Sequence, residues 1–200
     1  MRYPNGSERG RGVELILIRH ATTIGNTERR FIGRTDIPIS DEGICLAKSR
    51  HLPAVSHVYV SPLLRCRQSA DIYWPHIEKT IVPDLAEMNF GIFEGKNHRE
   101  LQGNPDYEKW LSNPLDCDFV ESADMVAQRM KSAVTEICGD MDKNCFSKAA
   151  VVSHGGALAC LLSVLGRPQR EFYDWLLPNC GAYAARVSSD PLALNITMEF

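Results

Sequence analysis

Two histidines and two arginines stand where short apolar runs end. Arg19-His20 follows Leu15-Ile16-Leu17-Ile18, Ser61-Pro62-Leu63-Leu64-Arg65 follows His57-Val58-Tyr59-Val60, and His154-Gly155-Gly156 follows Ala149-Ala150-Val151-Val152-Ser153. These residue types suit a phosphoryl group. Arginine keeps its charge and offers a planar fork of donors that matches phosphate oxygens in pairs. A neutral imidazole carries a lone pair that can attack phosphorus. Arginines beside it disfavour imidazolium and keep that lone pair available. A second, protonated histidine would donate to the equatorial oxygens, and Gly155-Gly156 amides opening a helix would add donors to an anion.

Expelling an alkoxide also needs an acid. The stretch Asp84-Leu85-Ala86-Glu87-Met88-Asn89-Phe90-Gly91 offers Glu87 among apolar neighbours, surroundings that help a carboxyl hold its proton near neutrality. Asp84 and Glu94 are the competing carboxylates. Each residue alone has a plainer reading: a lone strand-end histidine is usually structural, and lone arginines and loop carboxylates are usually solvated. Three strand ends with matching phosphate chemistry shift that balance. His51, His57, His76 and His98 read as structural or surface residues, His98 lying in the segment expected to cover the site. Arg67 follows Arg65 by two and on a helix points away from it.

The elements that must position these groups alternate. Buried strands are expected at about 13–19 and 149–153, and short strands at 57–60 and 79–82. Ser40 caps a helix, Pro62 opens the next at its first turn, and helix-spaced Val126, Met130, Val134 and Ile137 mark a third. Ala157–Gly166 is a fourth, apolar helix. A gly-containing loop covers 31–38, and the polar, aromatic stretch 97–120, broken by Pro105 and Pro114, reads as short helices laid over the rest. The end reads as a hairpin of AYAARV and LALNITMEF around Ser188-Ser189-Asp190-Pro191. Alternating strands and helices predict an α/β fold: a three-layer αβα sandwich with a largely parallel central sheet and a small helical cover. In such sheets ligands bind beyond the carboxyl ends of the strands, where the histidines and arginines lie.

The bulk properties narrow the partners. With 200 residues, 44% hydrophobic and 24% charged, the chain suits one large globular domain. We expect a flexible leader at 1–12 and a single domain over 13–200. A net charge of −3 argues against nucleic acid or an acidic membrane as partner, and no apolar run reaches the ~20 residues of a membrane span. The N-terminus lacks the apolar core of a secretory signal. Seven cysteines, an odd number without a C-x-x-C pair or metal-ligand spacing, point to reduced thiols in a cytoplasm. The C-terminal strand pair could leave an edge for a homodimer.

Together these segments resemble the histidine phosphatase superfamily, the phosphoglycerate mutase-like family. Arg19-His20-Ala21-Thr22-Thr23 with Asn26 resembles its R-H-G-x-T opening, and Gly33-Arg34-Thr35-Asp36-Ile37-Pro38-Ile39-Ser40 its G-x-x-D-x-P-L-S segment. Ser61 to Ala70 resembles S-P-L-x-R-A-x-Q-T-A, Leu85 to Gly95 the acid-bearing loop, and Val151 to Gly156 the second-histidine motif. The likeness runs from about residue 13 to 187, with five motifs in family order.

The resemblance implies that His20 is the nucleophile and becomes phosphohistidine. Arg19, Arg65 and His154 would complete the phosphate pocket, Asn26 and the Gly155 amide would assist, and Glu87 would protonate the leaving group. Water would then hydrolyse the intermediate, with no metal or other cofactor. One residue departs from the pattern: Ala21 stands where the family has glycine, a residue chosen for positive φ or close backbone approach. GRTDIPIS, SPLLRCR and LAEMNFGIFEG most resemble the alpha-ribazole phosphatases, which implies a small phosphomonoester such as alpha-ribazole 5′-phosphate. Two other readings stand beside it: a phosphoglycerate mutase, and a non-catalytic phosphate-binding protein suggested by Ala21.

Overall fold

The computed structural model describes residues 12–112 and 118–200. The expected leader, apart from Gly12, lies outside the described residues, as do Pro114 and Cys117. In chain order the elements are β1 (Glu14–Arg19), α1 (Ile24–Thr27), α2 (Asp41–Ser49), β2 (His57–Val60), α3 (Leu64–Tyr73), β3 (Lys79–Ile81), α4 (His98–Leu101), α5 (Pro105–Ser112), α6 (Ala123–Lys143), β4 (Lys148–Ser153), α7 (Gly155–Leu165), β5 (Gly166–Arg167), β6 (Ala182–Ser189) and β7 (Leu192–Glu199). Short 3-10 turns occupy Pro83–Leu85, Gly91–Phe93 and Phe172–Trp175.

The seven strands form one sheet in the order β3-β2-β4-β1-β6-β7-β5. β1, β4, β2 and β3 run parallel, whereas β6 is antiparallel to β1 and to β7. The sheet is therefore mixed and mostly parallel, and the expected hairpin extends it rather than lying apart. β5, two residues paired to β7, escaped the sequence reading because it is too short to show a period.

β1 sits between β4 and β6, so both its edges are paired, and helices cover both its faces. Leu15, Ile16, Leu17 and Ile18 are fully buried, each worth roughly 1.5–3 kcal/mol of transfer free energy. The period of two splits them between layers. Leu15 and Leu17 join the core formed with α6 and α7 through Met130, Val134, Leu158 and Leu161. Ile16 and Ile18 join the opposite core with Cys66 and Ala70 of α3 and with Trp74. This is the three-layer αβα sandwich.

The helix starts follow local chemistry. Ser40 Oγ accepts the Gly43 N–H at 3.1 Å, and Asp41 and Glu42 add negative charge to that first turn. Ser122 Oγ accepts the Met125 N–H to open α6. α3 differs from expectation: it begins at Leu64, not Pro62, and no N-cap side chain serves it. Its Leu64 N–H instead donates to Asp36 Oδ1 at 2.6 Å, so the 31–38 loop supplies the cap. Among the described residues no helix is long and apolar enough to cross a membrane.

Candidate active site

The parallel pairing of β1 with β4 places Arg19 opposite Ser153. Each strand's next residue is a histidine, so His20 and His154 emerge side by side. Their ring centroids are 5.1 Å apart, edge to face. His20 is buried, and its Nδ1 lies 2.7 Å from the Ala21 carbonyl. A carbonyl can only accept, so Nδ1 carries the hydrogen and Nε2 keeps the lone pair. Burial first, then Arg65 and Arg19, hold the imidazole well below its ordinary pKa.

His154 departs from expectation. Burial first, then Arg65, His20 and Arg19, push it well below its ordinary value too. Burial, and the two cations and second imidazole that face it, therefore disfavour a proton on this ring. Its Nε2 meets Ser61 Oγ at 2.8 Å and Cys66 Sγ at 3.4 Å.

The two arginines have different duties. Arg19 donates from Nη1 to the Leu177 carbonyl at 2.7 Å, while its Nε is buried without a hydrogen-bond partner among the described residues. An orphaned cationic donor is costly unless something satisfies it. A Cβ on Gly155 would sit 3.1 Å from this Nε, so glycine gives the guanidinium its place. Arg65 is only 1% exposed. Its Nη1 donates to the Thr35 carbonyl at 2.9 Å and its Nη2 to the Gly33 carbonyl at 2.8 Å and the Ile32 carbonyl at 3.3 Å. Arg65 thus ties the 31–38 loop to α3, and the fork expected on phosphate is largely spent on carbonyls.

Asn26 lines the site. Its Oδ1 accepts from Thr23 N and Oγ1 and from Asn179 Nδ2. That fixes the amide's orientation and leaves its NH2 end for an anion. Asn179 also donates to the His20 carbonyl at 3.1 Å. The sequence reading missed Asn179; its only signal is an Asn-Cys-Gly turn just before β6.

Glu87 is buried and sits at the start of α7. Its Oε1 accepts the Ala157 and Met88 N–H groups at 2.8 and 2.9 Å, and its Oε2 the Gly156 N–H at 3.1 Å. These amides, not an apolar shell, are its surroundings. A Cβ on Gly156 would lie 2.9 Å from Glu87 Oε1. The competing carboxylates are placed elsewhere: Asp84 is exposed, and Glu94 accepts from Gly33 N, Arg34 N, Thr35 Oγ1 and Phe90 N.

Arg19, His20, Asn26, Glu87, Gly155 and Gly156 line one cavity of about 500 Å³, whereas Arg65 and His154 stand behind its wall. The outer part is aromatic and apolar. Phe31, Phe90 and Trp110 line it, with Phe31 5.1 Å from Phe90 and 5.6 Å from Trp110 between centroids. Phe172, Tyr173 and Leu176 also line it and were not singled out in the sequence. His98 bonds Tyr107 at 3.1 Å and does not reach the cavity. His57 stacks on Phe146.

Ala21 proves to need no special backbone. Positive φ among non-glycine described residues occurs at Arg29, Cys145 and Cys180, not at Ala21. Its methyl is fully buried with Ile39, Ala47 and Cys180.

Comparison with known proteins agrees with this geometry. The family model of the histidine phosphatase superfamily (branch 1) matches residues 15–195. A probable phosphoglycerate mutase GpmB of Yersinia pestis (strain Pestoides F) is 32% identical over 184 residues, covering 84% of this chain and 82% of that protein. The crystal structure of a putative alpha-ribazole-5′-P phosphatase from Escherichia coli K-12 superposes with a TM-score of 0.79 at 23% identity, over 92% of this chain and 95% of that one. A phosphoserine phosphatase from Entamoeba histolytica, solved with 3-phosphoglyceric acid, superposes with a TM-score of 0.76 at 26% identity, over 94% and 96% of the two chains. With two strand-end histidines converging on a cavity that already holds an unsatisfied arginine donor, and with nearly the whole domain matched, this chain belongs to the histidine phosphatase superfamily, branch 1.

Proposed function

We propose that the chain is a phosphomonoester hydrolase that works through a phosphohistidine at His20 and needs no metal. The observation that carries this reading is the bond of His20 Nδ1 to the Ala21 carbonyl, which leaves the lone pair on Nε2, in a residue that lines one cavity with Arg19 and its orphaned Nε. In the first step Nε2 attacks phosphorus and the ester P–O bond breaks. Arg19, the Gly155 amide and Asn26 hold the equatorial oxygens, and Glu87 gives its proton to the departing oxygen. In the second step the Glu87 carboxylate takes a proton from water. The resulting hydroxide attacks phosphorus, the N–P bond breaks, and inorganic phosphate and neutral His20 are released. Arg65 acts on the pocket from behind by its charge, and His154 by its packing against the His20 ring.

The names of similar proteins span mutase, ribazole phosphatase and phosphoserine phosphatase, so they do not choose a substrate. The cavity favours an ester with a flat, weakly polar leaving group. Rings from three segments line its outer part, and the cations lining it among the described residues are Arg19 and Arg30. Arg30 is engaged by Glu28, Glu100 and the Gly95 carbonyl. Glu121, which also lines the cavity, is already paired with Arg129. Alpha-ribazole 5′-phosphate, with its benzimidazole base, suits this lining better.

The test is turnover of 4-nitrophenyl phosphate in excess EDTA, with rapid-quench trapping of an acid-labile phosphoprotein. His20→Ala should abolish both, and full activity in that variant overturns the mechanism. Faster hydrolysis of alpha-ribazole 5′-phosphate than of 3-phosphoglycerate is expected. Conversion of 3- to 2-phosphoglycerate outpacing phosphate release would establish the mutase instead.

A further inference from the structure

Glu87 is held at both ends, and only one of the two holds belongs to the cavity. Its carboxylate rests on the α7 amides. Its backbone leaves the sheet after β3, where the Leu85 carbonyl accepts from Ser153 Oγ of β4 at 2.8 Å. The carbonyls of Asp84, Ala86 and Glu87 find their donors on one side chain of α6. Arg129 donates from Nη1 to the Asp84 carbonyl at 2.7 Å and the Ala86 carbonyl at 2.6 Å, and from Nη2 to the Glu87 carbonyl at 3.1 Å. Its Nε and Nη2 also grip Glu121 Oε1 at 2.7 Å and Oε2 at 3.0 Å. All five guanidinium donors are therefore used.

Glu121 closes the other side of the loop. Its Oε2 accepts the Asn89 N–H at 3.0 Å and its own N–H donates to the Asn89 carbonyl at 2.9 Å. Both side chains of the pair are largely buried, 14% and 12% exposed. Burial alone would raise the Glu121 carboxyl; the Arg129 fork and the Asn89 N–H outweigh it and hold it below the usual carboxylate range. Arg129 itself does not line the cavity.

We infer that Arg129 is a positioning residue which, clamped to Glu121, fixes the 84–89 loop so that Glu87 delivers its proton along the line of the departing oxygen. The inference rests on the acid role proposed for Glu87. A lysine cannot replace the fork: one ammonium cannot satisfy three carbonyls and both carboxylate oxygens from a single point. A misdirected acid hurts most where the leaving group needs a proton, because general acid catalysis contributes about 10²–10⁴-fold and depends on geometry within a fraction of an ångström. Nitrophenolate leaves without help, whereas an alkoxide does not.

The experiment compares kcat/KM on n-butyl phosphate and 4-nitrophenyl phosphate for wild type, Arg129→Lys and Glu87→Gln, with the inhibition constant of inorganic phosphate as control. Arg129→Lys should lower kcat/KM on the butyl ester about ten-fold or more beyond its effect on the nitrophenyl ester, with phosphate inhibition unchanged. Glu87→Gln should show the same bias, larger. Equal losses on both esters in Arg129→Lys, with bias kept in Glu87→Gln, mean a merely structural arginine and overturn the inference alone. Absence of bias in Glu87→Gln as well overturns the acid role and the inference with it. Should Arg129→Lys not fold, Glu121→Gln, which keeps the shape and removes one half of the clamp, is expected to show the same bias more weakly, and equal losses there count against the inference.

Discussion

His20 and His154 meet edge to face at 5.1 Å because the strands before them are in register, Arg19 against Ser153. The pair is a product of topology: two parallel strands adjacent in the sheet, each ending one residue before an imidazole. Burial first, and then the two arginines behind and beside them, hold both imidazoles well below their ordinary pKa.

That arrangement fixes a pH dependence. Both folded-state pKa values lie below 6.5, chiefly through burial, whereas in the unfolded chain each ring takes a proton near 6.5. Below that pH the unfolded state binds more protons, so stability is full above it and is lost as pH falls toward the depressed values. Each histidine contributes a slope of up to about 1.4 kcal/mol per pH unit, and the pair about twice that. Urea midpoints between about pH 7.5 and pH 5.5 should fall accordingly, and His154→Asn should remove roughly half of the dependence. Inorganic phosphate should stabilise more as pH drops, because an anion lets His154 take a proton. A flat profile in that window would show that the rings are not held neutral.

Much of the site was legible because its residues sit where periodicity breaks. An apolar run that ends in Arg-His, or in His-Gly-Gly, marks a strand end and the group it presents together. Glu87 stood out in the same way, just after β3. What sequence did not carry is direction. Arg65 was found, but whether a buried guanidinium faces an anion or three carbonyls depends on the path of the 31–38 loop. Asn179 and the Leu177 carbonyl reach His20 and Arg19 across about 160 positions of chain, and no local pattern announces them. Arg129 looked like any polar residue of an amphipathic helix. Trp110 falls in the stretch read as a helical cover and Phe31 in the 31–38 loop, whereas Phe172 and Tyr173 lie in a short 3-10 turn with no regular spacing to mark it.

The aromatic part of the cavity should separate substrates by shape. Phe31 and Trp110 are half-buried and pack on each other from the loop after α1 and from α5. Trp110→Ala removes one face, at about 0.5–1.5 kcal/mol for an aromatic pair beyond its area, so KM for 1-naphthyl phosphate should rise roughly ten-fold. KM for glycerol phosphate should stay within about two-fold. Equal changes for both esters would mean that the ring does not touch the leaving group.

Ala21 is the departure from the family pattern that could have signalled lost activity. Its methyl is buried against Ile39, Ala47 and Cys180, and its backbone is not left-handed. Restoring glycine removes about 0.8 kcal/mol of buried methyl and adds a comparable unfolded-chain entropy, about 1–2 kcal/mol in all. Ala21→Gly should therefore lower the urea midpoint without raising turnover of 4-nitrophenyl phosphate. Faster turnover with an unchanged midpoint would show that the alanine restrains the nucleophile.

The two glycines that open α7 make the sharpest pair of variants, because each neighbours a different function. A methyl at Gly155 lies 3.1–3.3 Å from the Arg19 guanidinium, and one at Gly156 lies 2.9 Å from Glu87 Oε1. Alanine also favours a helix by up to about 1 kcal/mol over glycine, so losses of activity need not be losses of fold. Gly155→Ala should displace the anion donor and raise the inhibition constant of inorganic phosphate about ten-fold, the cost of one charge-assisted bond weakened by about 1.4 kcal/mol. It should act equally on alkyl and nitrophenyl esters, since both share the phosphate. Gly156→Ala should leave phosphate inhibition near wild type and lower kcat/KM on the alkyl ester selectively, because it pushes the carboxyl off the line to the leaving oxygen. The same phosphate inhibition and ester preference in both variants would show that Arg19 and Glu87 do not divide anion binding and proton delivery between them.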